Sequence, residues 1–205
     1  MITILDYGMG NLGSVLNMLR RLGNYEAIIT SDLKKIESAE KLILPGVGSF
    51  KKAMENLEQG GFLPILEKKV LQNKTPIMGI CLGMQLLFNK SEEGDCNGLG
   101  WIEGDVVRFN INRGNKKLNI PHMGWNIVHL KKESNLSLDL YYENKFYFVH
   151  SYHAVCRDEN DVLMTTKYGY EFVSAIERDN ISGYQFHPEK SHKYGKKLFE
   201  NFINL

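Results

Sequence analysis

Apolar residues follow two rhythms along this chain. Over roughly the first half, short solid apolar runs alternate with stretches where apolar positions recur every three or four residues. The runs Ile2 to Leu5, Glu26 to Thr30, Lys41 to Leu44 and Thr75 to Ile80 predict strands. Leu12, Val15, Leu16, Leu19 and Leu22 keep helical spacing, as do Phe50, Ala53, Met54 and Leu57, and then Leu63, Leu66 and Val70. Ser49 is placed to cap the second helix, and Pro64 fits the first turn of the third. Gly23 and Gly60-Gly61 end the first two. Leu82 to Phe88 is apolar nearly all round and predicts a buried helix. The order β-α-β-β-α-α-β-α argues for an open, mostly parallel sheet covered on both faces.

From Gly104 the rhythm changes. Short β-prone runs at Asp105 to Phe109, Trp125 to Leu130, Lys145 to Val149, Val162 to Thr166, Phe172 to Glu177 and Ile181 to Phe186 are separated by asparagine- and glycine-containing turns. They predict largely antiparallel additions to the same sheet. A last helix from Ser191 carries Tyr194, Leu198 and Phe202 on one face. The expected fold is α/β, a single domain spanning residues 1–205.

Composition narrows the partners. With 25 basic and 24 acidic residues the formal net charge is +1, so nothing calls for nucleic acid or an anionic membrane. No apolar run approaches the roughly 20 residues of a membrane span. Met1-Ile2-Thr3-Ile4-Leu5-Asp6 lacks the regions of a signal peptide. Three cysteines, Cys81, Cys96 and Cys156, show no metal-ligand spacing. No metal or cofactor is expected, and a reducing cytoplasm suits the chain better than a disulfide framework.

Sites in open α/β sheets form beyond the carboxyl ends of the strands. Three glycine-rich loops fall there: Asp6–Asn11, Pro45–Gly48 and the turn at Cys81. Gly8-Met9-Gly10-Asn11-Leu12-Gly13 matches G-x-G-x-x-G, a weak nucleotide motif by itself; the ribose carboxylate would have to be Asp32, in a polar segment after the second strand. Gly79-Ile80-Cys81-Leu82-Gly83 carries more chemistry. A free cysteine ordinarily packs in a core. Here, glycines two residues to either side frame it between a strand and a helix, in the form of a nucleophile elbow. Side chains at the glycines would collide across such a turn, and the backbone N–H groups and dipole of the following helix favour a thiolate. Of six histidines, His187 is best placed as a base, at the end of an apolar strand stopped by Pro188. Glu189 points to the same side and can orient the imidazole. Together these residues satisfy the logic of nucleophilic acyl transfer.

The elbow and His187-Pro188-Glu189 together resemble the triad, or class I, glutamine amidotransferases. Pro45-Gly46-Val47-Gly48-Ser49-Phe50, Pro121-His122-Met123-Gly124-Trp125-Asn126, Phe148-Val149-His150-Ser151-Tyr152 and the opening Asp6 to Asn11 extend the resemblance along the whole chain. They narrow it to the branch that serves as glutaminase subunit to a (β/α)₈-barrel cyclase of histidine biosynthesis. The resemblance implies a flavodoxin-like fold with Cys81 as nucleophile, His187 as acid and base, and Glu189 as orienter. It implies oxyanion donors at Leu82 and Val47, and glutamine contacts at Gly48, Gln85, Glu93, Ser151 and Tyr152. It places Asn11, Met123, Trp125 and Lys190 against the cyclase, which would receive ammonia. One departure, His192-Lys193-Tyr194-Gly195 after Ser191, also resembles paralogues whose cyclase-like partner builds an acetamidino sugar for surface glycans. A catalytically idle protein of the same fold is a further alternative.

Overall fold

The computed structural model describes residues 1–111, 118–141 and 143–205. Among these, thirteen strands join one sheet. Its parallel half holds β1 (Ile2–Leu5), β2 (Ile28–Thr30), β3 (Lys41–Gly46) and β4 (Ile77–Cys81). The rest comprises β5 (Phe88–Ser91), β6 (Cys96–Asn97), β7 (Ile102–Arg108), β8 (His122–Leu130), β9 (Asn144–His150), β10 (Tyr152–Cys156), β11 (Val162–Tyr168), β12 (Tyr170–Arg178) and β13 (Ile181–Tyr184). The order is β2-β1-β3-β4-β13-β12-β10-β7-β5-β6, with β11, β8 and β9 branching from β12. Pairing is parallel from β2 through β13 and, beyond that, antiparallel except between β5 and β7. The mixed sheet read from the sequence is therefore present.

Alternation along the strands divides two cores. Ile2, Ile4, Ile43, Met78 and Ile80 face one side, under α1 (Leu12–Arg21) and α6 (His192–Ile203). Leu5, Leu42, Leu44 and Ile77 face the other, under α2 (Leu33–Glu37), α3 (Phe50–Gln59), α4 (Phe62–Glu67) and α5 (Leu82–Gln85). A sheet covered on both faces shows near-continuous apolar strands, as β1, β3 and β4 do. Among the described residues no helix is long and apolar enough to cross a membrane.

Several elements differ from the sequence expectation. The helix expected over Leu82 to Phe88 lasts one turn, and Phe88 begins a strand. The cause is competition for carbonyls: Leu86 O, Leu87 O and Phe88 O accept N–H groups from Leu99, Trp101 and Gly100, which draw the chain into the sheet. β3 runs on through Pro45 and Gly46, which pair with Ile80 and Cys81. Proline is tolerated because the edge it turns away from β4 is already free, β1 pairing no further than Ile43. Pro45 O on that edge accepts the Tyr7 hydroxyl at 2.6 Å. β2 begins at Ile28 rather than Glu26. α2 had no apolar periodicity to announce it; Asp32 caps it by accepting from Lys34 N at 2.9 Å. β5 and β6 pair locally with each other, whereas β10 is held by β7, a partner distant in sequence.

Two glycines let β3, β4 and α5 meet. A Cβ on Gly79 would lie 2.7 Å from Gly83 O, and one on Gly83 would lie 1.8 Å from Leu44 O. Gly83→Ala is expected to destabilise the chain by about 3 kcal/mol or more, since the obstruction is backbone that cannot yield. Urea denaturation measures this, and a loss below about 1 kcal/mol would contradict the packing described.

Candidate active site

Cys81 is the last residue of β4 and sits at φ 54°, ψ −109°. A left-handed conformation at a residue with a side chain costs about 1–3 kcal/mol and persists only where the surroundings impose it. Here β3, α5 and the two glycines impose it. Because α5 is a single turn, its macrodipole is small. Sγ lies 3.8 Å from Gln185 Nε2 and 4.0 Å from Val149 O.

His187 reaches this place from three residues beyond β13. Its N–H donates to Tyr147 O at 2.8 Å. Its carbonyl accepts the Ser191 hydroxyl at 2.6 Å, and Ser191 Oγ accepts Tyr147 N at 3.0 Å. Ser191 thus clamps the histidine turn to β9 and makes no side-chain cap on α6. Gly195 lets α6 press on the same turn, since a Cβ there would fall 1.7 Å from Pro188 O. The imidazole Nδ1 lies 2.8 Å from Glu189 Oε1, with both side chains almost fully buried. Nε2 is buried without a hydrogen-bond partner. Burial alone would lower the histidine pKa; Cys81 and the Glu189 carboxylate outweigh it and raise it. A second trio behaves oppositely. His122 falls to about 4, and His150 and His153 also fall, in each case chiefly through burial. Tyr7 is pushed upward by burial and by Cys81, so it stays a neutral donor.

A cavity of about 340 Å³ opens beside the sulfur. Val47, Gly48, Cys81, Leu82, Gln85, Glu93, Ser151 and Tyr152 line it, together with Pro121, Val149 and His150. Both expected oxyanion residues and all five expected glutamine contacts therefore border one space. Val47 is 42% exposed, and Gly48 has φ +113°, which gives that loop freedom a side-chain residue would lack. Glu93 Oε2 accepts Phe50 N at 3.0 Å, so α3 holds it at the rim. Gln85 Nε2 donates to Tyr152 O at 3.0 Å and to Gln185 Oε1 at 2.9 Å, which fixes its amide.

The glycine-rich loop after β1 packs against the end of β3. A Cβ on Gly10 would lie 3.2 Å from Pro45 and Gly46, and Asp32 is committed to capping α2. Asn11 caps α1 through Ser14 N. Met123 and Trp125, two apart on β8, share a face and are 65% and 48% exposed. Trp125 stacks on His192 at 5.5 Å and 4°. Lys190 is exposed in the turn after His187.

The sequence reading gave no role to Gln185 or to His150, although His150 lies within the Phe148–Tyr152 motif. Alternation from His187 back to Gln185 would have pointed to the first. The motif marks His150 but not its role, which depends on a long-range meeting of β8, β9 and β10.

The class of protein follows from these observations and a match to known sequences. A model of the glutamine amidotransferase class-I family matches residues 3–205, and the chain belongs to that family. Imidazole glycerol phosphate synthase subunit HisH 2 of Methanococcus maripaludis is 56% identical over 203 residues, covering 99% of this chain and 98% of the relative. The subunit of the same name from Pseudomonas aeruginosa is 48% identical over the full length of both. Subunit HisH 1 of Campylobacter jejuni is 47% identical over the full length of both. A crystal structure described as a glutamine amidotransferase shares the fold at TM-score 0.72 and 20% identity, covering 99% of this chain and 97% of that one.

The two histidine environments give stability opposite pH slopes. Above the ordinary histidine pKa of about 6.5, folded His187 keeps a proton that the unfolded chain releases, so stability falls as pH rises from there. Below it, buried neutral His122, His150 and His153 refuse protons that the unfolded chain accepts, so stability falls as pH drops. Glu189→Gln removes one anion beside His187 and is expected to flatten the alkaline decline. Melting temperatures across both limbs measure this; a variant as steep as wild type would contradict it.

Proposed function

We propose that this chain hydrolyses glutamine and delivers the ammonia to a (β/α)₈-barrel cyclase, forming imidazole glycerol phosphate and AICAR in histidine biosynthesis. Residues 1–205 act as one domain, in the cytoplasm. The observation that carries the reading is the buried His187–Glu189 pair at 2.8 Å behind a strained cysteine, which itself borders a cavity lined by every expected glutamine contact.

The Cys81 thiolate attacks the side-chain amide carbon. Leu82 N–H, with Val47 N–H from the loop that turns at Gly48, receives the oxyanion; one such donor is typically worth 10²–10³ in rate. His187, kept protonated by its anionic neighbours, gives its proton to the leaving nitrogen. It then takes a proton from the water that cleaves the thioester, while Glu189 holds the ring. Glu93 accepts the substrate ammonium, Gln85 and Tyr152 bound its chain, and Gly48 and Ser151 close the cavity. The relatives named as synthase subunits support the partner. Met123 and Trp125 support its position: exposed methionine and tryptophan on one strand face suit an interface, with Lys190 and Asn11 completing it.

A second acceptor has its own support. His192-Lys193-Tyr194-Gly195 departs from the branch pattern, and two of the relatives above carry the number 2 in their names. In that reading the ammonia serves a cyclase-like synthase making an acetamidino sugar, with unchanged chemistry at Cys81.

Glutamate release is measured with and without each barrel synthase and its ligand. Stimulation by the histidine-pathway cyclase alone is expected, and stimulation by the sugar synthase alone would transfer the assignment. Cys81→Ala should lower the stimulated rate by about 10³-fold or more; an unchanged rate would exclude the mechanism. Trp125→Ala should weaken partner binding about 30-fold without altering the melting temperature, as for an interface anchor. Titration calorimetry checks this, and equal affinity would remove Trp125 from the interface.

A further inference from the structure

Gln185 is fully buried, two residues before His187, and has no part in the triad. Its amide direction is settled by chemistry. Gln85 Nε2 faces two oxygens, Tyr152 O at 3.0 Å and Gln185 Oε1 at 2.9 Å, and only an NH₂ group can bridge two acceptors. Gln185 Oε1 is therefore the acceptor, and its Nε2 is left pointing at Cys81 Sγ, 3.8 Å away.

The acceptor beyond Gln85 is itself fixed. Tyr152 O also receives His150 Nδ1 at 2.8 Å, so Nδ1 carries a hydrogen. With His150 neutral, its Nε2 accepts from His122 Nδ1 at 2.9 Å, and His122 Nε2 accepts from Asn126 Nδ2 at 3.2 Å. Donors run one way from β8 to Tyr152 O, where Gln85 joins them. A rotated Gln85 amide would set oxygen against oxygen.

We propose that Gln185 is a further catalytic residue, the neutral N–H donor to the Cys81 thiolate, with Gln85 as the positioning residue that aims it. This rests on Cys81 being the nucleophile. The two states of the sulfur have matched neighbours. As a thiol it can donate to Val149 O; as a thiolate it can only accept, and Gln185 N–H is the neutral donor within reach. The charged and titratable neighbours are His187, backed by Glu189, and Tyr7, whose hydroxyl is committed to Pro45 O. The contact acts most when sulfur leaves. Water oxygen bonds to the thioester carbon, the C–S bond breaks, and its electron pair returns to Sγ. The water proton passes to His187, and Gln185 N–H meets the restored negative charge.

The test uses the isolated full-length chain and iodoacetamide, with alkylation of the Cys81 peptide followed by mass spectrometry across pH. Gln185→Glu keeps the acceptor oxygen for Gln85 and replaces the N–H facing sulfur with oxygen. Its alkylation midpoint should rise by about one pH unit or more, the scale of a hydrogen bond to a charged group. With glutamine and the partner, it should accumulate glutamyl thioester, seen as added mass on the chain. Gln85→Leu frees the Gln185 amide to turn and should raise the midpoint by a smaller amount; it carries the test if Gln185→Glu fails to fold. Variant midpoints equal to wild type would overturn the proposal while leaving Cys81 as nucleophile. A wild-type Cys81 inert at every pH would instead overturn the nucleophile reading.

Discussion

The close approach of β3, β4 and α5 around Cys81 is the constraint on which the rest depends. No side chain fits at Gly79 or Gly83, because the space each Cβ would need is held by backbone. That contact bends the chain through a left-handed cysteine, and the bend puts sulfur at the sheet's carboxyl edge. Strain of about 1–3 kcal/mol is small against the apolar burial on both faces, so the fold can hold it. The glycine-rich loop after β1 belongs to the same arrangement. Tyr7 donates to Pro45 O, and a Cβ on Gly10 would crowd Pro45 and Gly46, so this loop packs against the end of β3 that leads into Val47 and Gly48.

Electrostatics then divides the histidines. Burial acts against the charged form in all of them, and what differs is the company they keep. His187 has a carboxylate and a sulfur beside it and gains proton affinity. His122 and His150 have each other, a carbonyl and an amide, and lose it. The result is one imidazole that holds its proton and one neutral, directional hydrogen-bond chain. Nothing in the residue types distinguishes the two groups.

The cavity also adjoins the exposed face of β8. Pro121, just before β8, lines it, and Met123 and Trp125 follow on that strand. His192, in a left-handed conformation at the start of α6, stacks on Trp125. The histidine turn, the exposed tryptophan and the cavity wall are therefore built on adjoining elements, so a partner seated on this face would press on the groups around the sulfur.

Much of the fold was legible in the sequence. The apolar runs of β1, β3 and β4 and the periodic faces of α1, α3 and α6 are local patterns, and the glycine spacing around Cys81 reflects a steric need that lies within five residues. His187 and Glu189 were legible as a pair because they lie two apart. The tertiary structure alone decided the rest. It cut the helix after Gln85 short, because carbonyls from Leu86 to Phe88 found N–H partners in residues 99–102. It carried β3 through a proline and created β10 by pairing it with β7. It also chose Gln185 and His150. An amide or imidazole takes its direction from whichever acceptors surround it, and here those partners come from segments up to about a hundred residues apart in the chain.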